Sequence, residues 1–279
     1  MKNIKSLIAG TLAVFIWAVI PCLVKGGVEN TSISFFLFLR FAIASIILIY
    51  WIPGVLKRFT KVNLLLWFSL LIDLGANYYF QTIAMKSFPV SWYIVIFSLN
   101  PILSLFLLRI RFTKTLIAAI LISLFGTALF VTQQMEPLSV SFSEVAALII
   151  GMLTWVFYTF LIKKFQIIYN DLEVTTLTNV TSLAAITLIW SFSGFSYETP
   201  SAATISAASI LGIGTVLAFA FYSFAMRRTP VFGVMCQYLE PIFGVAAAYF
   251  VFHESLSFIQ ILGAALIIVA MSRVSISGS

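Results

Sequence analysis

Phe80-Gln-Thr-Ile-Ala-Met-Lys-Ser-Phe-Pro-Val90 and Phe221-Tyr-Ser-Phe-Ala-Met-Arg-Arg-Thr-Pro-Val231 decide the fold, because the two stretches share five identities in eleven positions. Leu99-Asn100-Pro101-Ile102 then matches Leu239-Glu240-Pro241-Ile242, and the upstream spacing Trp17, Leu23, Lys25 recurs as Trp155, Leu161, Lys163. Three matches in the same order, each displaced by about 140 residues, mark two related halves.

Composition says what kind of halves these are. The chain is 62% hydrophobic and 9% charged, far from the roughly 45–50% and 25% of soluble domains. Uncharged or nearly uncharged stretches cover Leu7–Val24, Ile33–Trp51, Asn63–Met85, Val90–Leu108, Thr115–Val131, Val145–Ile162, Val174–Phe192, Ser206–Met226, Val231–Val251 and Leu256–Ser272. Each is about the length that crosses a ~30 Å hydrocarbon layer as a helix. The expected fold is all-α and integral to the membrane, with ten transmembrane helices in two five-helix repeats, residues 1–135 and 136–279. Five is odd, so the second repeat enters the membrane with the opposite orientation. Inverted repeats of this kind place a site near the midplane that can face first one side and then the other.

Charge placement gives the orientation. With the amino terminus inside, the inner segments carry Lys2, Lys5, Lys57, Arg58, Lys61, Arg109, Arg111, Lys114, Lys163, Lys164, Arg227, Arg228 and Arg273, which is 13 of the 16 cations. The outer loops hold only Lys25 and Lys86, together with Glu29, Glu136 and Glu198, and Arg40 lies within the second span. The positive-inside rule therefore puts both termini in the cytoplasm of a cell whose plasma (inner) membrane holds the chain. On this reading the net charge of +7 is a topology signal, and no nucleic-acid partner is expected. The first apolar stretch is long and lacks a small-x-small cleavage site, so it reads as an uncleaved span. A single His and two cysteines do not make a metal site, and Cys22 and Cys236 fall at different depths and are expected to pack as apolar side chains. No cofactor is expected.

The same motifs resemble the drug/metabolite transporter superfamily in its EamA-type branch of ten-helix proteins, over essentially the whole chain. The resemblance is carried by Trp17 and Trp155, Leu39-Arg40-Phe41, Ala84 to Val90, Ala225 to Val231, Leu239-Glu240-Pro241 and His253-Glu254-x-Leu256 with Gln260 and Gly263-Ala264. The first half departs from the pattern at its last turn, with no acidic residue between Arg109 and Phe112 and with Ala119 in place of a glycine. The resemblance implies a secondary carrier of small metabolites, often an exporter of amino acids or related compounds.

Polar residues inside spans are costly and tend to face protein or a watery cavity. Counted from the inner ends at about 1.5 Å per residue, Asp73 and Glu240 fall near the midplane, and Asn100 reaches that depth from outside. Asp73, Asn77 and Gln81 follow at i, i+4 and i+8, while Gln237 and Glu240 share a face with Gly233 and Gly244. Both stripes are expected to face the centre. With Trp17, Tyr78, Asn100, Trp155, Tyr158 and Tyr222, residues Asn77 and Gln237 form the expected substrate-binding wall, drawn from spans one, three, four, six, eight and nine. Alternatives stand beside these roles. Asn100 equally reads as a partner for a carbonyl freed by Pro101, Glu240 equally as an architectural hydrogen-bonding residue, and Arg40 as a structural anchor.

Asp73 and Glu240 are the expected ion-coupling residues. Loss of hydration at the midplane disfavours a charged carboxylate, so proton release can be linked to substrate binding. A carboxylate among rings also suits an organic cation such as a quaternary amine, which makes a cation carrier the second reading. An intramembrane enzyme would need a nucleophile and base at working spacing, and His253 beside Glu254 at a helix end does not supply one. A channel would need a filter-like run. No Gly-x-x-x-x-Gly-Lys loop is present to bind ATP directly. The expected partners are a small-molecule substrate and the lipid bilayer, in a monomer or dimer.

Overall fold

The structure is a computed structural model, and it describes residues 2–28, 31–59, 64–88, 90–131, 140–195, 199–244, 246 and 257–276. The turn residues Glu29, Glu136, Glu198, His253, Glu254 and Leu256 lie outside these, as does the side chain of Cys22. The described elements are helical: α1 (Lys2–Gly27), α2 (Ile33–Ile47), α3 (Ile52–Phe59), α4 (Leu64–Ser87), α5 (Val90–Phe97), α6 (Asn100–Leu107) and α7 (Lys114–Val131) in the first half. The second half holds α8 (Phe142–Phe165), α9 (Asp171–Phe192), α10 (Ala202–Arg228), α11 (Pro230–Met235) and a last helix, α12 (Phe258–Ile276).

Among the described residues four helices, α1, α8, α9 and α10, are long and apolar enough to cross a membrane alone, and a fifth span forms if α2 is taken with α3. The count of ten uninterrupted spans is therefore only partly met, for identifiable reasons. α2 ends at Ile47, a 3-10 turn covers Ile49–Trp51, and the chain bends by 63° into α3. Pro101 lacks the amide that would continue the backbone ladder and sits in the first turn of α6, so the fourth apolar stretch is split into α5 and α6. The stretch before Pro241 tightens from α11 into a 3-10 turn over Cys236–Leu239, and residues 240–244 are helical again.

Helix starts are set by capping. Ser141 accepts from the amide of Glu144, whose carboxylate accepts from Ser141 in return, and Asn170 and Glu173 repeat the arrangement at the start of α9. Ser201 caps α10 and Ser257 caps α12. Such caps satisfy amides that have no partner within the helix.

Among the described residues, three cross-half pairings are the most extensive. α1 and α10 run antiparallel: a Cβ on Gly10 would touch Ala225, Trp17 meets Phe219 and Tyr222, and Gly27 faces Ala207. α4 packs on α8, where Gly151 accommodates Gln81. α7 packs on α12, and Gly126 lies so close that a Cβ would sit 2.8 Å from the carbonyl oxygen of Gly263. Small residues allowing close backbone approach are the usual currency of helix association in lipid.

Candidate functional site

A cavity lies where the two halves meet. It is walled by Trp17 and Ile20 of α1, Arg40 of α2, Tyr78, Gln81, Thr82 and Met85 of α4, Tyr93 and Phe97 of α5, and Asn100 at the start of α6. The second half adds Trp155 of α8, Phe219 of α10, and Gln237 and Glu240 from the broken helix that follows. The space open to water centres is about 60 Å³, where one buried water needs only ~10–15 Å³. That suits several waters or one small metabolite.

The breaks explain how polar groups reach this position. A helix interrupted near the midplane turns its end inward, and such interruptions occur in membranes where they line a cavity. Asn100 opens α6 beside Pro101, and Glu240 follows the 3-10 turn before Pro241. The walls are aromatic and ordered. Trp17 and Trp155 meet edge to face with centroids 5.0 Å apart at 89°, and the Trp155 Nε1–H donates to Gln237 Oε1 at 3.1 Å. Tyr93 and Phe97 stack at 4.1 Å.

Of the expected wall residues, Trp17, Tyr78, Asn100, Trp155 and Gln237 line the cavity, and so does Glu240. Three others lie behind it. Asn77 turns to α8, donating to the Gly151 carbonyl at 3.3 Å and to Thr154 Oγ1 at 3.2 Å. Tyr158 shares a hydrogen bond of 3.1 Å with Thr178 of α9 and packs edge-on against Phe219. The Tyr222 hydroxyl meets Thr159 Oγ1 at 3.3 Å, and its ring supports Trp17. Asp73 also lies off the cavity, buried, with its Oδ2 lacking a hydrogen-bond partner among the described residues. The reason is helical drift. Steps of four advance ~40° beyond a full turn, so between Asp73 and Gln81 the stripe rotates by ~80°, and only Gln81 reaches the opening.

Arg40, whose depth marks it as an anchor, takes a further position in the structure. It is 4% exposed yet reaches the cavity wall. Its Nε–H donates to Thr215 Oγ1 of α10 at 2.9 Å, and its guanidinium lies 5.3 Å from the Phe41 ring centroid and 5.4 Å from that of Tyr78. Phe219 and Phe97 also escaped the sequence reading. The repeat offered a signal for both, because a displacement of about 140 residues pairs Tyr78 with Phe219 and Phe97 with Gln237.

The two ends of the bundle differ. At the end where α1 starts, the Ser6 hydroxyl meets that of Thr229, and a Cβ on Gly10 would lie 3.1 Å from Phe232. α3 of the first half is tied to the second: Arg58 pairs with Glu173, and the Tyr169 hydroxyl donates to the Val55 carbonyl at 3.3 Å. Burial, helped by nearby Glu173 and opposed by Arg58, holds the Tyr169 phenol above its ordinary range, so it keeps the proton it donates. The ends of α8 and α10 are also joined. Lys163 Nζ donates to the Met226 carbonyl at 3.0 Å and Gln166 Nε2 to that of Ser223 at 2.8 Å. Arg227 donates to Asp171 Oδ1 at 2.6 Å, the Gln166 carbonyl at 2.6 Å and the Tyr169 carbonyl at 2.5 Å, and Arg228 reaches Asp171 Oδ2 at 2.7 Å. In the first half the repeat partners of Ser223 and Met226 are Thr82 and Met85, and these face the cavity. The cavity is thus sealed toward the start of α1 and extends toward the opposite end.

A profile of the EamA-like transporter family matches residues 4–132 and again 142–276. The chain belongs to the EamA-like transporter family. It is an integral multi-pass membrane protein of a small-molecule transporter family. A protein known from its crystal structure superposes with a TM-score of 0.78 over 98% of this chain and 97% of that one, at 19% identity, which speaks to fold alone. No curated protein matches. Among the described residues no three His, Cys, Asp or Glu side chains converge as metal ligands.

Proposed function

We propose that the protein is a secondary active transporter that moves a small metabolite, of amino-acid type and in the export direction, by alternating access between repeats 1–135 and 136–279. Ten membrane passes with both termini in the cytoplasm of an inner membrane fit the charge distribution. One observation carries the reading. The cavity is lined by repeat-related pairs from both halves, Trp17 with Trp155, Tyr78 with Phe219, Phe97 with Gln237, and Asn100 with Glu240. A site on a pseudo-twofold axis is one that both halves can rock around. In that view the end sealed here opens when the end lined by Thr82 and Met85 closes. Proton coupling is assigned to Glu240, which faces the cavity, in preference to Asp73, which does not.

The test is counterflow in proteoliposomes preloaded with single amino acids. Uptake of label driven by at least one preloaded amino acid supports the reading, and indifference to all of them while an organic cation drives exchange would replace it with the cation carrier.

A further inference from the structure

Resting on the amino-acid reading above, we infer that Arg40 is the carboxylate-binding residue of the cavity, so that the substrate is a small zwitterion whose acid end docks on Arg40 and whose amine lies toward Glu240. Arg40 is the only charged residue of α2, and it is buried in the middle of that helix. A cation in such a place is expensive unless it is paired. No carboxylate pairs with it among the described residues. What does hold it fixes its direction and leaves its fork free: Nε–H is taken by Thr215 Oγ1, the faces of Phe41 and Tyr78 flank the guanidinium, and the two terminal nitrogens have no hydrogen-bond partner among the described residues. A planar fork presented to a cavity is the geometry that takes both oxygens of one carboxylate.

Glu240 faces the same cavity and does not pair with Arg40. Neither charge recurs at the repeat-related position of the other half. Asn100 stands at the position related to Glu240, and the uncharged run from Thr178 to Thr181 stands opposite Arg40. One positive charge from the first half and one negative charge from the second, unpaired among the described residues and facing a shared space, are matched by a molecule carrying both signs. Trp17 and Trp155 wall the same space and offer ring surface to an apolar portion.

The test measures binding to the full-length protein in lipid nanodiscs. The ligands are the twenty amino acids, 4-aminobutyrate, and for each one that binds its methyl ester and its decarboxylated amine. Wild type is expected to bind an amino acid at least ten-fold more tightly than its ester and amine. Arg40→Gln should bring acid and ester to within about three-fold of each other, and Arg40→Lys should keep part of the preference, with unchanged melting temperature as the check on folding. Should Arg40→Gln not fold, the wild-type comparison of acid with ester and the Arg40→Lys variant decide. An ester bound as tightly as its acid, or a preference that survives Arg40→Gln, overturns the assignment while leaving amino-acid transport standing. Binding of amines alone, with no amino acid bound, overturns both.

Discussion

Replacing Arg227 by Ala should open the end of the bundle that is closed here. Arg227 joins the end of α10 to the end of α8 and the start of α9 through three charge-assisted hydrogen bonds, to Asp171, to the Gln166 carbonyl and to the Tyr169 carbonyl. Bonds from a charged donor contribute about 1.5–3 kcal/mol each. The Arg227 side chain keeps 31% of its surface exposed, so solvent screens the set, and we take roughly 2–4 kcal/mol for all three together. All three bonds lie within the second half, so they oppose an opening in which the end of α10 swings away from α8 and α9, and at ~1.4 kcal/mol per decade their loss shifts the balance between closed and open by roughly 30- to 700-fold.

Met226 reports the change, because it is fully buried now while its repeat partner Met85 faces the cavity. In a background lacking Cys22 and Cys236, a Met226→Cys variant should react slowly with a membrane-impermeant maleimide. Adding Arg227→Ala should speed the reaction at least ten-fold from the side that carries the start of α1, and slow it at Met85→Cys from the other side. Asp171→Asn, which leaves the two carbonyl bonds, should have a smaller effect. Equal labelling rates at Met226→Cys with and without Arg227→Ala, in protein of unchanged melting temperature, would refute the assignment of this cluster as a gate.

Gly126→Val should lower thermal stability by about 2–4 kcal/mol, because the new Cβ meets the Gly263 carbonyl oxygen and Ile267 at under 3 Å and backbone does not yield cheaply; a melting temperature within a degree of wild type would contradict that packing. Trp155→Phe removes the donor to Gln237 Oε1 and should weaken substrate binding by roughly 5- to 20-fold with the fold retained, as read by titration in nanodiscs. Glu240→Gln should abolish proton-driven accumulation and, because the substrate amine lies toward Glu240, slow amino-acid exchange as well, whereas Asp73→Asn should transport normally; the reverse pattern in proteoliposomes would move the coupling role to Asp73.

How much of this was legible in the sequence differs by level. Repeats, membrane insertion and a cavity between the halves follow from residues such as Phe80 and Phe221 or Trp17 and Trp155, because symmetry puts related positions at related places, but only five of the eight expected wall residues line that cavity. The six spans expected around the cavity do supply its wall, and α2 joins them through Arg40. Helix phase was less secure. Asp73, Asn77 and Gln81 form one stripe on paper, but a stripe at spacing four winds around the helix, and nothing in one strand of sequence says which neighbour each part meets. Tyr158 and Tyr222 were placed beside the site by depth, and they are beside it, yet their hydroxyls found Thr178 and Thr159 on adjacent helices first. The 63° bend falls at the end of the apolar stretch Ile33–Trp51, and what hydropathy does not show is that the amphipathic residues beyond it, Ile52–Phe59 with Lys57 and Arg58, continue as a helix.

Arg40 shows where the two kinds of reasoning separate. Depth alone makes a cation seven residues inside a span look like an anchor reaching for the interface, because long side chains commonly do so. The structure supplies the missing constraint: Thr215 on α10 takes Nε–H and turns the fork away from the lipid. Thr215 is itself completely buried and belongs to the half that does not carry the arginine. Any movement of α10 against α2 therefore moves the contact that aims Arg40, and the packing of Gly212 against the Arg40 carbonyl leaves that movement little slack. A substrate carboxylate held by the guanidinium would be bonded at once to α2 and, through Thr215, to the helix whose far end carries Arg227. Occupancy of the cavity and closure of the gate then share one helix, which is the differential contact that a ligand needs in order to shift a two-state equilibrium.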